Sequence, residues 1–252
     1  MLRAALALAG LAWLFMAASA WAGPPFFTDD PVPVPYRHWE LYLATQDLKE
    51  QGGGSGTAPH FEANYGALPE LQLHLIVPLA WDRPEGEGTA YGLGDLELGA
   101  KYRLLREGEI MPQVGVFPLV TLPTGDQERG LGSGQCDVFV PLWLQKSWGA
   151  WTSYGGGGYW INPGSGNRNY WFTGVVVQRQ FSDWLALGGE LYHTIPDTVE
   201  GGEHTGYNLG AMVDFTPEQH LLVSAGSDLS GDTDLTFYLG YQLTWGPPDK
   251  DK

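Results

Sequence analysis

The residues of this chain that could do chemistry are few and widely spaced. His220 and Ser224 lie four positions apart, and in an alternating strand they share one face, as the base and nucleophile of a lipid hydrolase on a barrel's outer wall would. Four residues of extended chain separate them by roughly 13 Å, beyond direct hydrogen-bond reach. No catalytic residues are therefore expected, and a lipid-modifying hydrolase stands only as an alternative function. His60 and His74 could meet only across paired strands, and no His-x-His spacing occurs, so neither a metal site nor a cofactor is expected. Gly155 to Gly158 sits inside an expected strand, not between a strand and a helix. That placement suits close backbone approach or a bend in the wall better than a phosphate cradle. One cysteine, Cys136, excludes an internal disulfide framework.

The elements that must position these residues read as strands. Over 93–104, Asp95, Glu97, Lys101 and Arg103 point one way while Leu96, Leu98, Ala100, Tyr102 and Leu104 point the other. The last run repeats the pattern, with Leu235, Phe237, Leu239, Tyr241, Leu243 and Trp245 opposite Asp234, Thr236, Tyr238, Gly240, Gln242 and Thr244. About twelve such segments of roughly ten residues follow one another, each long enough to cross an apolar membrane band when tilted. They lie near 38–47, 57–66, 70–81, 92–106, 111–122, 136–147, 150–162, 169–181, 184–195, 204–215, 219–229 and 234–245. The fold expected is all-β, a single antiparallel transmembrane barrel over 38–245. Long connections, among them Leu48 to Gly56, Pro123 to Gln135 and Ser230 to Thr233, take turns with short ones such as Gly66 to Pro69 and Thr216 to Glu218. An outer-membrane barrel has this asymmetry, with short periplasmic turns and longer external loops. Trp39, Trp81, Trp148, Trp151, Trp184 and Trp245 fall at or beside strand ends, where aromatic girdles meet the lipid–water boundary.

If the apolar faces meet lipid, the polar faces define a lumen. Its candidate lining residues are Glu40, Glu62, His74, Asp95, Glu97, Lys101, Arg103, Glu190 and Asp214, with His38, His60, Asn64, Gln72, Gln113, Asn208 and Gln242 on the same faces. Unpaired buried charges cost several kcal/mol each. Asp95 and Glu97 are therefore expected to meet Lys101, Arg103 or basic groups on neighbouring strands. Residues 23–37 carry five prolines between Gly23 and Pro35 and read as extended chain, periplasmic or lumenal. Phe26, Phe27, Asp29 and Asp30 make this arm a candidate plug; the alternative is a disordered lead-in to the first strand.

Ahead of the arm, Arg3, the apolar stretch from Leu6 to Ala18 and the small-x-small pattern Ala20-Trp21-Ala22 read as a signal peptide over 1–22. The formal charge of −16 argues against nucleic acid. Acidic residues collect in the connections, as at Asp82 to Glu87, Asp126 to Glu128, Asp197 to Glu203 and Asp228 to Asp234, where solvated loop tips are the ordinary reading and divalent cations bridging to lipopolysaccharide the alternative.

Three stretches look familiar: Gly23-Pro24-Pro25-Phe26-Phe27-Thr28-Asp29-Asp30-Pro31, Gly92-Leu93-Gly94-Asp95-Leu96-Glu97-Leu98-Gly99-Ala100-Lys101-Tyr102-Arg103, and Leu122-Pro123-Thr124-Gly125-Asp126. In them, and through Tyr154-Gly155-Gly156-Gly157-Gly158-Tyr159-Trp160-Ile161-Asn162-Pro163, the chain resembles the outer-membrane protein family of the meta-pathway of phenol degradation. The resemblance implies a bacterial outer-membrane barrel with a transport role and supplies no catalytic residues. The function expected is a passive channel for small solutes, aromatic or hydrophobic ones among them, with a structural or adhesive barrel as a further alternative. Expected partners are outer-membrane lipid and lipopolysaccharide, the barrel-assembly machinery and a small-molecule solute. One departure is the polar tail 246–252, Gly246-Pro247-Pro248-Asp249-Lys250-Asp251-Lys252, because such barrels usually finish on an aromatic residue that the assembly machinery reads.

Overall fold

In a computed structural model the chain is described over residues 24–50 and 52–247; the expected signal peptide and most of the C-terminal tail lie outside the described residues. Twelve antiparallel wall strands close on themselves. They are β1 (Trp39–Glu50), β2 (Gly53–Leu68), β3 (Leu71–Pro84), β4 in two pieces (Ala90–Leu93 and Leu96–Leu105) and β5 in two pieces (Gln113–Val116 and Leu119–Leu122). Then follow β6 (Asp137–Trp148), β7 (Trp151–Ile161), β8 (Tyr170–Ser182), β9 (Leu185–Thr194), β10 (His204–Thr216), β11 (Gln219–Ser230) and β12 (Thr233–Trp245). Each pairs with its sequence neighbours, and β1 closes the ring on β12 in a register running from Trp39↔Trp245 to Glu50↔Thr233. Among the described residues no helix is long and apolar enough to cross a membrane. The strands carry the crossing.

The breaks have local causes. Gly94-Asp95 interrupts β4, where Asp95 turns its carboxylate to loop backbone: it accepts from Gly125 N at 2.8 Å and from Ser133 N at 2.6 Å. In β5 the interruption falls at Phe117-Pro118, and proline has no N–H for the ladder.

Short turns and both ends of the barrel chain share one rim, the turn end; the longer connections share the other, the loop end. Two expected long connections are in fact tight hairpins. Leu48 to Gly56 continues the β1–β2 ladder through Leu48↔Ser55 and Lys49↔Gly54 to Glu50↔Gly53, and only two residues separate β11 from β12. Glycine and serine without alternation read as loop, but paired backbones need no side chains to extend beyond the lipid. Conversely, the connection 106–112 is longer than the other turns on its rim.

Alternation runs as expected. Leu43, Phe61, Leu73, Leu98, Leu209 and Leu239 face outward and are exposed, as are Trp39, Trp148, Trp151, Trp184 and Trp245 around the turn end. Trp39 stacks on Trp245 across the closing seam, and the Arg179 guanidinium lies 5.3 Å from the Trp151 ring and 4.8 Å from Phe181. A cation among ring faces on the outer wall belongs at a lipid–water boundary. Inside, Phe117, Phe139 and Trp143 pack with Trp160 and Phe172, and Val176 and Tyr154 pack with Phe26. Gly156 and Gly158 make room for this plate, since a Cβ on Gly158 would stand 2.5 Å from the Phe139 ring.

Leu239→Arg, at the middle of β12, is expected to cost about 2–4 kcal/mol and Leu235→Arg, near its loop end, about 0–1 kcal/mol. Denaturant titration of the protein refolded in liposomes measures both, and equal costs would contradict the lipid-facing assignment.

Candidate functional site

The N-terminal arm lies inside the barrel, not outside it as a lead-in. It enters at the turn end beside the β2–β3 turn, where Arg37 N donates to Gly66 O at 2.7 Å. Val34 N donates to Gln72 Oε1 at 2.9 Å. Next, Lys101 Nζ on β4 holds Asp29 at 2.8 Å and Asp30 at 3.4 Å, with the Phe117 ring 4.9 Å away. The chain then crosses to the far wall. There the Glu190 carboxylate on β9 accepts from Phe27 N at 3.2 Å and Thr28 N at 2.5 Å, and Asn208 Nδ2 donates to the same group at 2.7 Å. Ser224 Oγ donates to Pro25 O at 2.6 Å. Phe27 meets Tyr192 edge-on at 5.1 Å.

Lumen-facing glycines let the arm lie this close. A Cβ on Gly174 would stand 1.9 Å from Thr28 Oγ1, and one on Gly210 2.8 Å from the Phe26 ring. Phe26, Thr28 and Asp30 are buried accordingly. All four plug candidates thus dock. The arm and the aromatic plate fill the β5–β10 side of the lumen.

Along the other side runs a cavity of about 850 Å³. One wall is the arm's apolar edge, with Phe26, Val32, Pro33 and Val34. The other comes from β1 to β4 and from β11 and β12, and it includes Glu40, Tyr42, Glu62, His74, Glu97 and Tyr238. Its polar groups form a chain: Gln242 Nε2 donates to Tyr42 Oη at 2.8 Å, and that hydroxyl donates to Glu40 Oε1 at 2.7 Å. Asn64 Nδ2 donates to Glu62 Oε1 at 2.8 Å, while Asn64 Oδ1 accepts from Gln72 Nε2 at 2.9 Å. His74 stands between Asn64 Oδ1 at 2.7 Å and Glu97 Oε1 at 3.1 Å. At the turn-end mouth, Glu70 faces both Arg103 and Arg106. Partial burial raises its carboxyl, but the two guanidiniums outweigh this and hold it below the usual carboxylate range.

Of the nine lining residues read from the sequence, Glu40, Glu62, His74, Glu97, Lys101 and Arg103 line this cavity. Three serve elsewhere. Asp95 brackets the 123–136 loop, Glu190 clamps the arm, and Asp214 pairs with His220 Nδ1 at 2.6 Å. The expected pairing also shifts. Glu97 does meet a basic group on a neighbouring strand, His74, but Asp95 meets backbone N–H groups, and Lys101 turns to the arm because Asp29 and Asp30 come within its reach. Tyr42, Tyr238 and Glu70 were not singled out beforehand, although strand parity places the two tyrosines on the lumen face. His220 and Ser224 both face the lumen and are engaged, with Asp214 and with the arm, so they are not on the lipid-facing wall where a lipid hydrolase would hold them. Among the described residues no group of three or more His, Cys, Asp or Glu could hold a metal ion.

The family model described as "Putative MetA-pathway of phenol degradation" matches residues 50–245. The chain belongs to that family. No curated protein matches it by sequence. Among solved structures, an outer membrane channel from Pseudomonas putida F1 is similar at 16% identity and a TM-score of 0.72, over 89% of this chain and 100% of that one. The KdgM porin in complex with disordered oligogalacturonate is similar at 10% identity and a TM-score of 0.56, over 82% of this chain and 99% of that one. At these identities the likeness is one of fold. The family member described here is an outer-membrane β-barrel.

Gly174→Val is expected to push Thr28 off the wall, and Glu190→Ala to leave two arm N–H groups without an acceptor at about 1–3 kcal/mol each. Either change should expose Phe26-Phe27 to chymotrypsin in a barrel that still resists unfolding in cold detergent. Continued protection in both would refute the docking described.

Proposed function

We propose that this protein is a passive channel for small solutes across the outer membrane, its passage narrowed by the N-terminal arm. The observation that carries this reading is the cavity of about 850 Å³ running inside the barrel beside the arm. A barrel whose lumen served only as structure would gain by filling this side with packed side chains, as the β5–β10 side does with Phe139, Trp143 and Phe172. Instead the wall carries hydrogen-bonding groups opposite an apolar edge. Such a surface suits compact solutes with an apolar body and a polar group, small aromatics among them. The similar Pseudomonas putida structure is described as a channel, which supports the same reading.

Lipid hydrolysis has no support in the placement of Ser224 and His220. Outer-membrane lipid and lipopolysaccharide would surround the apolar belt, and the barrel-assembly machinery would insert it. Asp29 and Asp30 on Lys101 are the arm's ionic hold on the wall, and Phe26 and Phe27 are its apolar one.

In planar bilayers the full protein is expected to show small unitary currents, and removal of residues 24–36 should raise them. Liposome swelling with phenol and small sugars should follow the same order. Absence of conductance in both forms would overturn the channel reading, and equal conductance would overturn the narrowing role of the arm.

A further inference from the structure

The carboxylates Glu40, Glu62 and Glu97 outnumber the cations that the cavity leaves for them. Lys101 is taken by Asp29 and Asp30, and Arg103 and Arg106 by Glu70. Among the described residues no lysine or arginine forms an ion pair with Glu40, Glu62 or Glu97. His74 is in direct contact, 3.6 Å from Glu62 and 3.1 Å from Glu97, while Lys101 acts on Glu40, and His60 on Glu97, only through space. Three carboxyl groups on one wall, with one imidazole in direct contact and Lys101 already shared by two aspartates, leave an excess of negative charge at a place where burial makes each charge costly.

Hydrogen bonding points the same way. Nearby donors are already committed: Asn64 Nδ2 to Glu62, Gln72 Nε2 to Asn64, Gln242 Nε2 to Tyr42 and Tyr42 Oη to Glu40. Each carboxylate has its Oε1 engaged in these contacts, so the wall still offers acceptors. A second and independent sign is Tyr238. It lines the same cavity at 7% exposure, on the strand beside Glu40's own, and its hydroxyl has no hydrogen-bond partner among the described residues. A phenol oxygen can accept as well as donate.

Across the cavity the arm presents Phe26, Val32 and Val34, with Asp29 beside them on Lys101. We propose that the cavity binds organic cations, a protonated amine on an apolar body, with the ammonium among Glu40, Glu62 and Glu97 and the apolar part against the arm. This deepens the channel reading and rests on it for the route by which such a solute arrives. An ammonium supplies both missing elements, positive charge and N–H donors. A carboxylate of the same size supplies neither and would add a fourth negative group to the wall.

The test uses the full protein, refolded in detergent, and three probes of nearly equal size: phenethylammonium, 2-phenylethanol and phenylacetate. Calorimetry is expected to show saturable binding of phenethylammonium, binding of the alcohol at least about tenfold weaker, and none of phenylacetate. Glu62→Gln and Glu97→Gln should each weaken phenethylammonium binding about tenfold or more, and Tyr238→Phe should weaken it detectably, while Glu107→Gln at the turn end should leave it unchanged. Phenylacetate binding as tightly as the amine, no saturable amine binding, or displacement of the amine by an equal concentration of potassium would overturn the proposal. The wild-type comparison of probes decides even if a variant fails to fold. Amine binding without any bilayer conductance would uphold the site and overturn the channel reading; conductance without amine selectivity would do the reverse.

Discussion

A backbone in hydrocarbon has nowhere to place an unpaired N–H or C=O, and the seam between β1 and β12 meets that constraint for the whole molecule. With Trp39↔Trp245 through Glu50↔Thr233 in register, no strand edge is left to lipid. Ring closure then fixes the rest. Each strand has one face in lipid and one in a confined interior, so leucine and aromatic residues go outward and polar residues inward. The interior must in turn satisfy what it has gathered.

That interior solves its problem unevenly. On one side, rings from β5 to β8 and the arm pack into an ordinary apolar core, with Trp143 at 1% exposure. On the other, carboxylates, amides and one histidine bond to one another along a cavity wall. The arm separates the two regimes. Its apolar residues face both, and its acidic pair holds Lys101, which the wall turns inward.

Much of this was legible in the sequence because a period of two survives translation into structure. The twelve segments, their inward faces and the aromatic strand ends all depend on side-chain parity, which a barrel wall enforces. What parity does not carry is partner choice. Lys101 and Glu97 share a face, and only the arm's course through the lumen decides that Lys101 takes Asp29 and Asp30 while Glu97 takes His74. Loop length was illegible for a different reason: Gly53 to Gly56 has only the Ser55 side chain and nothing to alternate, yet its backbone pairs. The arm's docking left a trace in Gly174, Gly188 and Gly210, whose spacing across three neighbouring strands becomes a track only once β8, β9 and β10 are in register.

The arm is continuous with β1, yet its residues 25–28 are clamped to β9 and β11, most of the way along the chain. A segment tethered at the turn end and gripped at mid-lumen has two ways in: through a finished ring, or by lying in place while the sheet curls round it. The second needs no threading. On that route the arm would be a mandrel, with Glu190 and Ser224 holding it while the ends of the sheet come together. The order of assembly would then be written into the same contacts that hold the arm inside the finished barrel.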